Sequence, residues 1–156
     1  MTTPKEVEIK LRLDPNKVRD FVESGRFAGV KSVEKHFHTV YFDDEKHHLF
    51  REGFELRVRG DGERYIRTLK STDSVERSEW ETEAADGHLS LEDLEAPGVE
   101  KFVKRGLALR AQFSLDVDRK TWDVAAGGSR IEVALDQGKL EAEGRQKQIC
   151  EAELEL

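Results

Sequence analysis

Three short stretches of the chain set acids and bases two residues apart. Glu6-Val7-Glu8-Ile9-Lys10 stands near the N-terminus, Glu151-Ala152-Glu153-Leu154-Glu155 near the C-terminus, and Leu56-Arg57-Val58-Arg59 between them. An extended backbone turns alternate side chains to opposite faces, so each stretch gathers its charges on one face. Glu6 and Glu8, or Glu151 and Glu153, present carboxylates at neighbouring heights on one wall. Such oxygen ligands suit Mg²⁺ or Mn²⁺, where the ion keeps several waters. They do not suit zinc, for which Cys and His would be expected. Arg57 and Arg59 carry planar forks that meet two phosphate oxygens at once. More charge shares faces elsewhere: Lys70 with Thr68, Arg77 with Glu79 and Glu81, and Glu132 with Ala134 and Asp136. Taken singly, each acid reads more readily as a salt-bridge partner than as a ligand.

The elements that must position these residues are mostly strands. Residues 5–13, 54–59, 64–70 and 76–83 alternate charged with apolar or small side chains, and 35–42 has strand composition. Gly60-Asp61-Gly62-Glu63 reads as a hairpin connection. Strands over 109–123, 129–136 and 147–156 close the chain, with turns at Gly127-Gly128 and near Gly138. Asp14-Pro15 opens a helix carrying Val18, Phe21 and Val22, which Gly25 ends. Ser90-Leu91-Glu92-Asp93 resembles a capping box before a short helix that Pro97-Gly98 breaks, with a turn or two more over 99–105. The fold class is therefore mainly β (α+β), as one domain over 1–156 without repeats or low-complexity runs.

Composition narrows the partners. A net charge of −7 argues against broad binding of nucleic acid or an anionic membrane, while leaving room for a local basic cluster. The single cysteine, Cys150, cannot form an intrachain disulfide, and no signal segment or membrane span is evident; a cytoplasmic protein, monomer or homodimer, is expected. His36 and His38 flank Phe37, and His47-His48 sits near a hairpin. Neither spacing is a metal motif, so both pairs read as surface or wall residues. Trp80 and Trp122 are expected to pack outside the sheet under the helices, and Cys150 to be a buried, inert thiol.

Alternation alone permits two closures. In one, the apolar faces form the core and the charged faces coat the protein, with cross-strand ion pairs worth little. In the other, the sheet curls so that the charged faces line a lumen and helices cover the apolar outside. Charge runs are usually solvated, so the pattern by itself favours the first.

The same residues resemble a known family. Glu6-x-Glu8-x-Lys10 matches the E-x-E-x-K opening of the CYTH, or triphosphate tunnel metalloenzyme, superfamily. Tyr41-Phe42-Asp43, Leu56-Arg57-Val58-Arg59, Thr68-Leu69-Lys70, Arg77-x-Glu79-x-Glu81, Arg119, Ile131 to Asp136 and Cys150 to Leu156 follow in the family's order. The closing stretch looks most like the bacterial inorganic triphosphatases. The resemblance implies an eight-stranded antiparallel β-barrel with a charged tunnel and helices outside, which selects the second closure. It implies that Lys10, Arg57, Arg59, Lys70, Arg77 and Arg119 bind a triphosphate-containing small molecule. Glu6, Glu8, Glu151 and Glu153 would hold Mg²⁺ or Mn²⁺, and Glu79, Glu81, Glu132 and Asp136 are candidates for a second metal or for the attacking water. The implied reaction is hydrolysis of inorganic triphosphate to pyrophosphate and phosphate. Hydrolysis of nucleoside or thiamine triphosphate, a class IV-type adenylate cyclase, or a non-catalytic polyphosphate or nucleotide module are the alternatives. The chain departs from the family at Glu55, where relatives carry a small residue, and at Ala152, where they carry a larger apolar one. It also stops at Leu156, where many continue into a further helix.

Overall fold

The computed structural model describes residues 5–72, 76–94, 96 and 98–156, with side chains for all of these except Lys5, Glu6, Glu76 and Arg77. Eight strands are described: β1 (Lys5–Arg12), β2 (Ser32–Asp43), β3 (Phe54–Gly60), β4 (Tyr65–Ser71), β5 (Glu76–Ala84), β6 (Arg110–Ala126), β7 (Ser129–Ala142) and β8 (Arg145–Glu155). They hydrogen-bond in the order β1-β5-β4-β3-β2-β6-β7-β8, and β8 pairs back onto β1, closing a barrel. Every pairing is antiparallel. Three short helices, α1 (Val18–Val22), α2 (His48–Arg51) and α3 (Glu100–Lys104), lie in the connections.

The apolar faces point outward, and the helices cover them on two sides. Leu56 of β3 and Leu69 of β4 pack beneath Leu49 of α2, Leu91, Leu94 and Phe102 of α3, with Trp80 alongside. Leu49, Leu56, Leu69 and Phe102 are essentially inaccessible, and such burial stabilises by about 1.5–3 kcal/mol for each side chain. On the other side Trp122, Val133 and Leu135 pack under Phe21 and Val22 of α1 and Phe27, whose ring stacks on Trp122 at 4.3 Å. Both tryptophans thus lie under helices, as expected, and Cys150 is a buried thiol whose pKa burial raises. On β1 the outward Ile9 and Leu11 remain about half exposed. With two hydrophobic layers outside the barrel, the alternating charges of the same strands must face in.

Three local expectations differ from the structure, and one helix was not foreseen. The chain does not turn near Gly138; β7 runs through it and reverses at Glu143-Gly144, both at positive φ. Gly138 instead lets two strands approach, since a Cβ there would lie 2.0 Å from the Asp116 carbonyl oxygen. The Ser90 cap starts only a 3-10 turn, Leu91–Asp93, where the serine hydroxyl accepts from the Glu92 N–H. Helix α2 has no sequence signal, because its cap lies outside it. Buried Asp43, at the end of β2, accepts from the N–H groups of Asp44, Leu49 and Phe50, and Asp44 accepts from that of His48. Finally, β2 and β6 extend beyond their expected bounds, to Ser32–Asp43 and Arg110–Ala126.

Candidate functional site

The lumen is a cavity of about 960 Å³ lined by charged side chains from most of the strands. Register decides which charges become neighbours, because residues directly opposite on antiparallel strands hold their Cβ atoms about 5 Å apart. Glu8 of β1 stands opposite Glu155 of β8, Glu155 opposite Glu132 of β7, and Glu132 opposite Asp123 of β6. Four acids on four consecutive strands thus form one row around the wall, and all four line the cavity. One step along the strands the row reads Lys10, Glu153, Ala134 and Thr121. The next reads Arg12, Glu151, Asp136 and Arg119.

The second and third rows are held by ion pairs. Arg119 donates to both carboxylate oxygens of Asp136, at 2.7 and 2.6 Å, and to Glu153 at 2.7 Å. Lys10 sits 2.7 Å from Glu153 and 3.8 Å from Glu151. Burial pushes the Glu153 carboxyl up, but Arg119, Lys10 and Arg59 outweigh it and hold the carboxyl at about 2. Asp136 and Glu153 likewise keep Arg119 above its ordinary value despite burial.

The opposite wall is cationic and only partly compensated. On β3, Arg57 is 9% exposed and lies 3.5 Å from Glu79. Its buried Nε has no hydrogen-bond partner. Burial acts against that charge, and Tyr41, Glu55 and Glu79 offset it, so Arg57 stays above its usual value. Glu55, the departure noted in the sequence, therefore faces the cavity and supports an arginine. Arg59 donates to Thr39 at 3.2 Å, but burial and the charges of Arg57 and Arg119 lower it from 12.5 to about 10. Arg59 and Arg119 both lie over the Phe37 ring, at 4.9 and 6.0 Å from its centroid. Lys70 of β4, 6% exposed, lies 3.7 Å from Glu8 and 3.5 Å from Glu79, joining this wall to β1.

The barrel brings together most of the residues expected from the sequence. Glu8, Lys10, Arg57, Arg59, Lys70, Glu79, Glu81, Arg119, Glu132 and Glu153 line the main cavity, while Asp136 and Glu151 line its inner extension with Phe37, Thr39 and Tyr41. Glu6 and Arg77 face each other in the β1–β5 register, and their side chains lie outside the described residues. Sequence reading missed Glu155 and Asp123 as members of the acid row. Glu155 was legible as the third member of the closing E-x-E-x-E, but only register places it opposite Glu8. Among the described residues no three His, Cys, Asp or Glu side chains already form a finished metal cage. The all-carboxylate row nonetheless has the donor chemistry of a hard divalent cation.

An eight-stranded closed antiparallel barrel, with charged side chains inside and its hydrophobic layers outside, is a tunnel fold. The CYTH domain family matches residues 4–156, and the chain belongs to that family. It is 28% identical over 170 residues to an inorganic triphosphatase of Haemophilus influenzae, covering 97% of this chain and 45% of that protein. The chain thus spans less than half the length of that relative. Among solved structures, a presumptive adenylate cyclase from Bacillus halodurans matches with a TM-score of 0.67 at 17% identity, covering 97% of this chain and 81% of the other. A presumptive adenylyl cyclase from Hippeastrum, described as having a dominant triphosphatase activity, matches with a TM-score of 0.63 at 18% identity, covering 97% and 79%. At such identities the likeness establishes the tunnel fold.

Proposed function

We propose that this chain hydrolyses inorganic triphosphate to pyrophosphate and phosphate with the help of Mg²⁺ or Mn²⁺. One observation carries the reading: Arg57 and Arg59, only partly compensated, face the same cavity that a row of four acids lines on another wall. Uncompensated buried cations are costly unless a ligand neutralises them. A triphosphate, with about four negative charges near neutral pH, is such a ligand.

Arg57, Arg59 and Arg119 would bind the phosphate oxygens, and Lys10 and Lys70 would flank them from β1 and β4. Arg77 is retained as a further donor. Glu8 and Glu155, opposite each other in register, are assigned to the cation together with Glu6. Glu153 and Glu151 stand opposite Lys10 and Arg12. We therefore assign them first to orienting those cations, with Glu153 next in line as a ligand. Asp136 orients Arg119, and Glu79 orients Arg57 and Lys70. A divalent cation at the acid row would neutralise phosphate charge and acidify a bound water. Glu132, beside Glu155 in the row, would take the proton of the attacking water, with Glu81 as the candidate on the other wall. The water oxygen bonds to the terminal phosphorus as the bridging P–O bond breaks, and the arginines stabilise the charge of the departing pyrophosphate.

The test is phosphate release from inorganic triphosphate, ATP and thiamine triphosphate, each with Mg²⁺, with Mn²⁺ and with chelator. We expect metal-dependent turnover, fastest with inorganic triphosphate, reduced about 100-fold or more in Glu8→Gln and Glu155→Gln and far less in Glu151→Gln. A volume near 960 Å³ also admits a nucleotide. Faster turnover of ATP or thiamine triphosphate would overturn the substrate, and tight binding without turnover would overturn the hydrolase.

A further inference from the structure

The outer face of β2 and β6 carries a second cluster that the tunnel does not use. His36 and His38 alternate with Phe37, so when Phe37 faces the lumen both imidazoles face out. Asp118 stands opposite His36 and Asp116 opposite His38. His36 Nδ1 is 2.8 Å from Asp118, His36 Nε2 is 2.9 Å from Asp116, and His38 Nδ1 is 3.4 Å from the other oxygen of Asp116. Among the described residues no helix covers the group, and both imidazoles are more than half exposed.

We propose that His36, His38 and Asp116 bind a borderline divalent transition cation such as Zn²⁺ or Ni²⁺, with Asp118 orienting His36. Ligands about 2.0–2.1 Å from a tetrahedral ion lie about 3.3 Å from one another. The Asp116 carboxylate already keeps 2.9 and 3.4 Å from one nitrogen of each imidazole. The remaining nitrogen of His36 is bound to Asp118, the carboxylate–histidine arrangement that fixes the tautomer of a metal-ligating imidazole. Among the described residues no three such side chains are already arranged to hold a metal ion; His36 is bound to both Asp116 and Asp118, and a cation would take the place of the His36–Asp116 contact. The donor set is imidazole and carboxylate, unlike the all-oxygen tunnel, so the two sites select different metals. Lys139 and Gln137 of β7 stand next to Asp116 and Asp118 in register, and Lys120 is paired with Glu34 at 2.8 Å. One side of the cluster thus carries a cation and an amide, and on the other His38 stands opposite Gly60 of β3, beside the Tyr65 ring.

Calorimetric titration of tag-free protein with ZnCl₂ and NiCl₂, in millimolar Mg²⁺, would test the site. One site per chain is expected, weakened at least 30-fold in the His36→Gln/His38→Gln double variant and about 10-fold in Asp118→Asn. Glu8→Gln should leave it unchanged, and Zn²⁺ should raise the melting temperature of wild type but not of the double variant. Equal affinity in wild type and double variant, or loss of the site in Glu8→Gln, would overturn the proposal. Because the replaced side chains are exposed, an unchanged melting temperature without metal separates lost binding from lost folding.

Discussion

Arg59 should be a residue that the ligand-free protein would be more stable without. Its guanidinium is held near 10 rather than 12.5 by burial and by Arg57 and Arg119. A group whose charged form is disfavoured this way costs stability over the whole range below about pH 10, and the cost fades only as pH rises from there toward 12.5. At neutral pH that cost is on the order of 3 kcal/mol. Arg59→Met removes it but also removes the hydrogen bond to Thr39, about 1 kcal/mol. The contact over Phe37 is lost as well, about 0.5–1 kcal/mol. A net gain of about 1 kcal/mol should raise the melting temperature by roughly 2–4 °C. Added tripolyphosphate should stabilise wild type more than the variant, whose affinity should fall about 10- to 100-fold through loss of one charge-assisted contact. Arg119→Met is the control of opposite sign. Its charge is matched by Asp136 and Glu153, and breaking such a buried group should cost about 3–5 kcal/mol. Thermal melts of the three proteins, with and without tripolyphosphate, decide the matter. If Arg59→Met melts lower than wild type without ligand, or binds tripolyphosphate equally well, the idea of a wall strained for an anion is wrong.

Two further outcomes follow from the same geometry. Glu153, held at about 2 against an ordinary 4.5, contributes stability that is complete above the unfolded value and disappears as pH falls from about 4.5 toward 2. Urea unfolding between pH 6 and 3 should show an acid-labile component on the order of 2 kcal/mol in wild type. That component should be absent in Glu153→Gln, which should also be less stable at neutral pH, and an unchanged acid slope would refute the pairing. Gly138→Ala would drive a methyl into the Asp116 carbonyl and the Val117 Cα. Since both are backbone, β6 and β7 must part, at a cost of about 2–3 kcal/mol in urea unfolding; an unperturbed midpoint would mean the close approach is not required.

Much of the barrel was legible because a strand writes its two faces directly into the sequence at period two. The charges of β1, β3, β7 and β8 declared which residues share a face, and Asp14-Pro15 and Gly25 bounded the first helix. Less visible were features whose cause lies far away in the chain. Helix α2 is capped by Asp43 from the end of β2, and Gly138 is required by β6 rather than by a turn.

Within the site, the sequence by itself determined the chemical inventory: carboxylates and arginines alternating with apolar residues, without Cys or His among them. It could not say which face of the sheet is inside, since period two is the same in a solvated sandwich and in a tunnel. Closure of β8 onto β1 and helices on the outer face decided that. Register then decided the partners, placing Glu155 rather than Glu151 across from Glu8 and setting Asp136 against Arg119. Register is a long-range property: it depends on how eight strands close, and no local stretch of sequence carries it. The same closure sets His36 and His38 beside two aspartates from a strand about eighty residues away. As a sequence motif the two histidines meant little; beside Asp116 and Asp118 they become part of a hydrogen-bonded cluster.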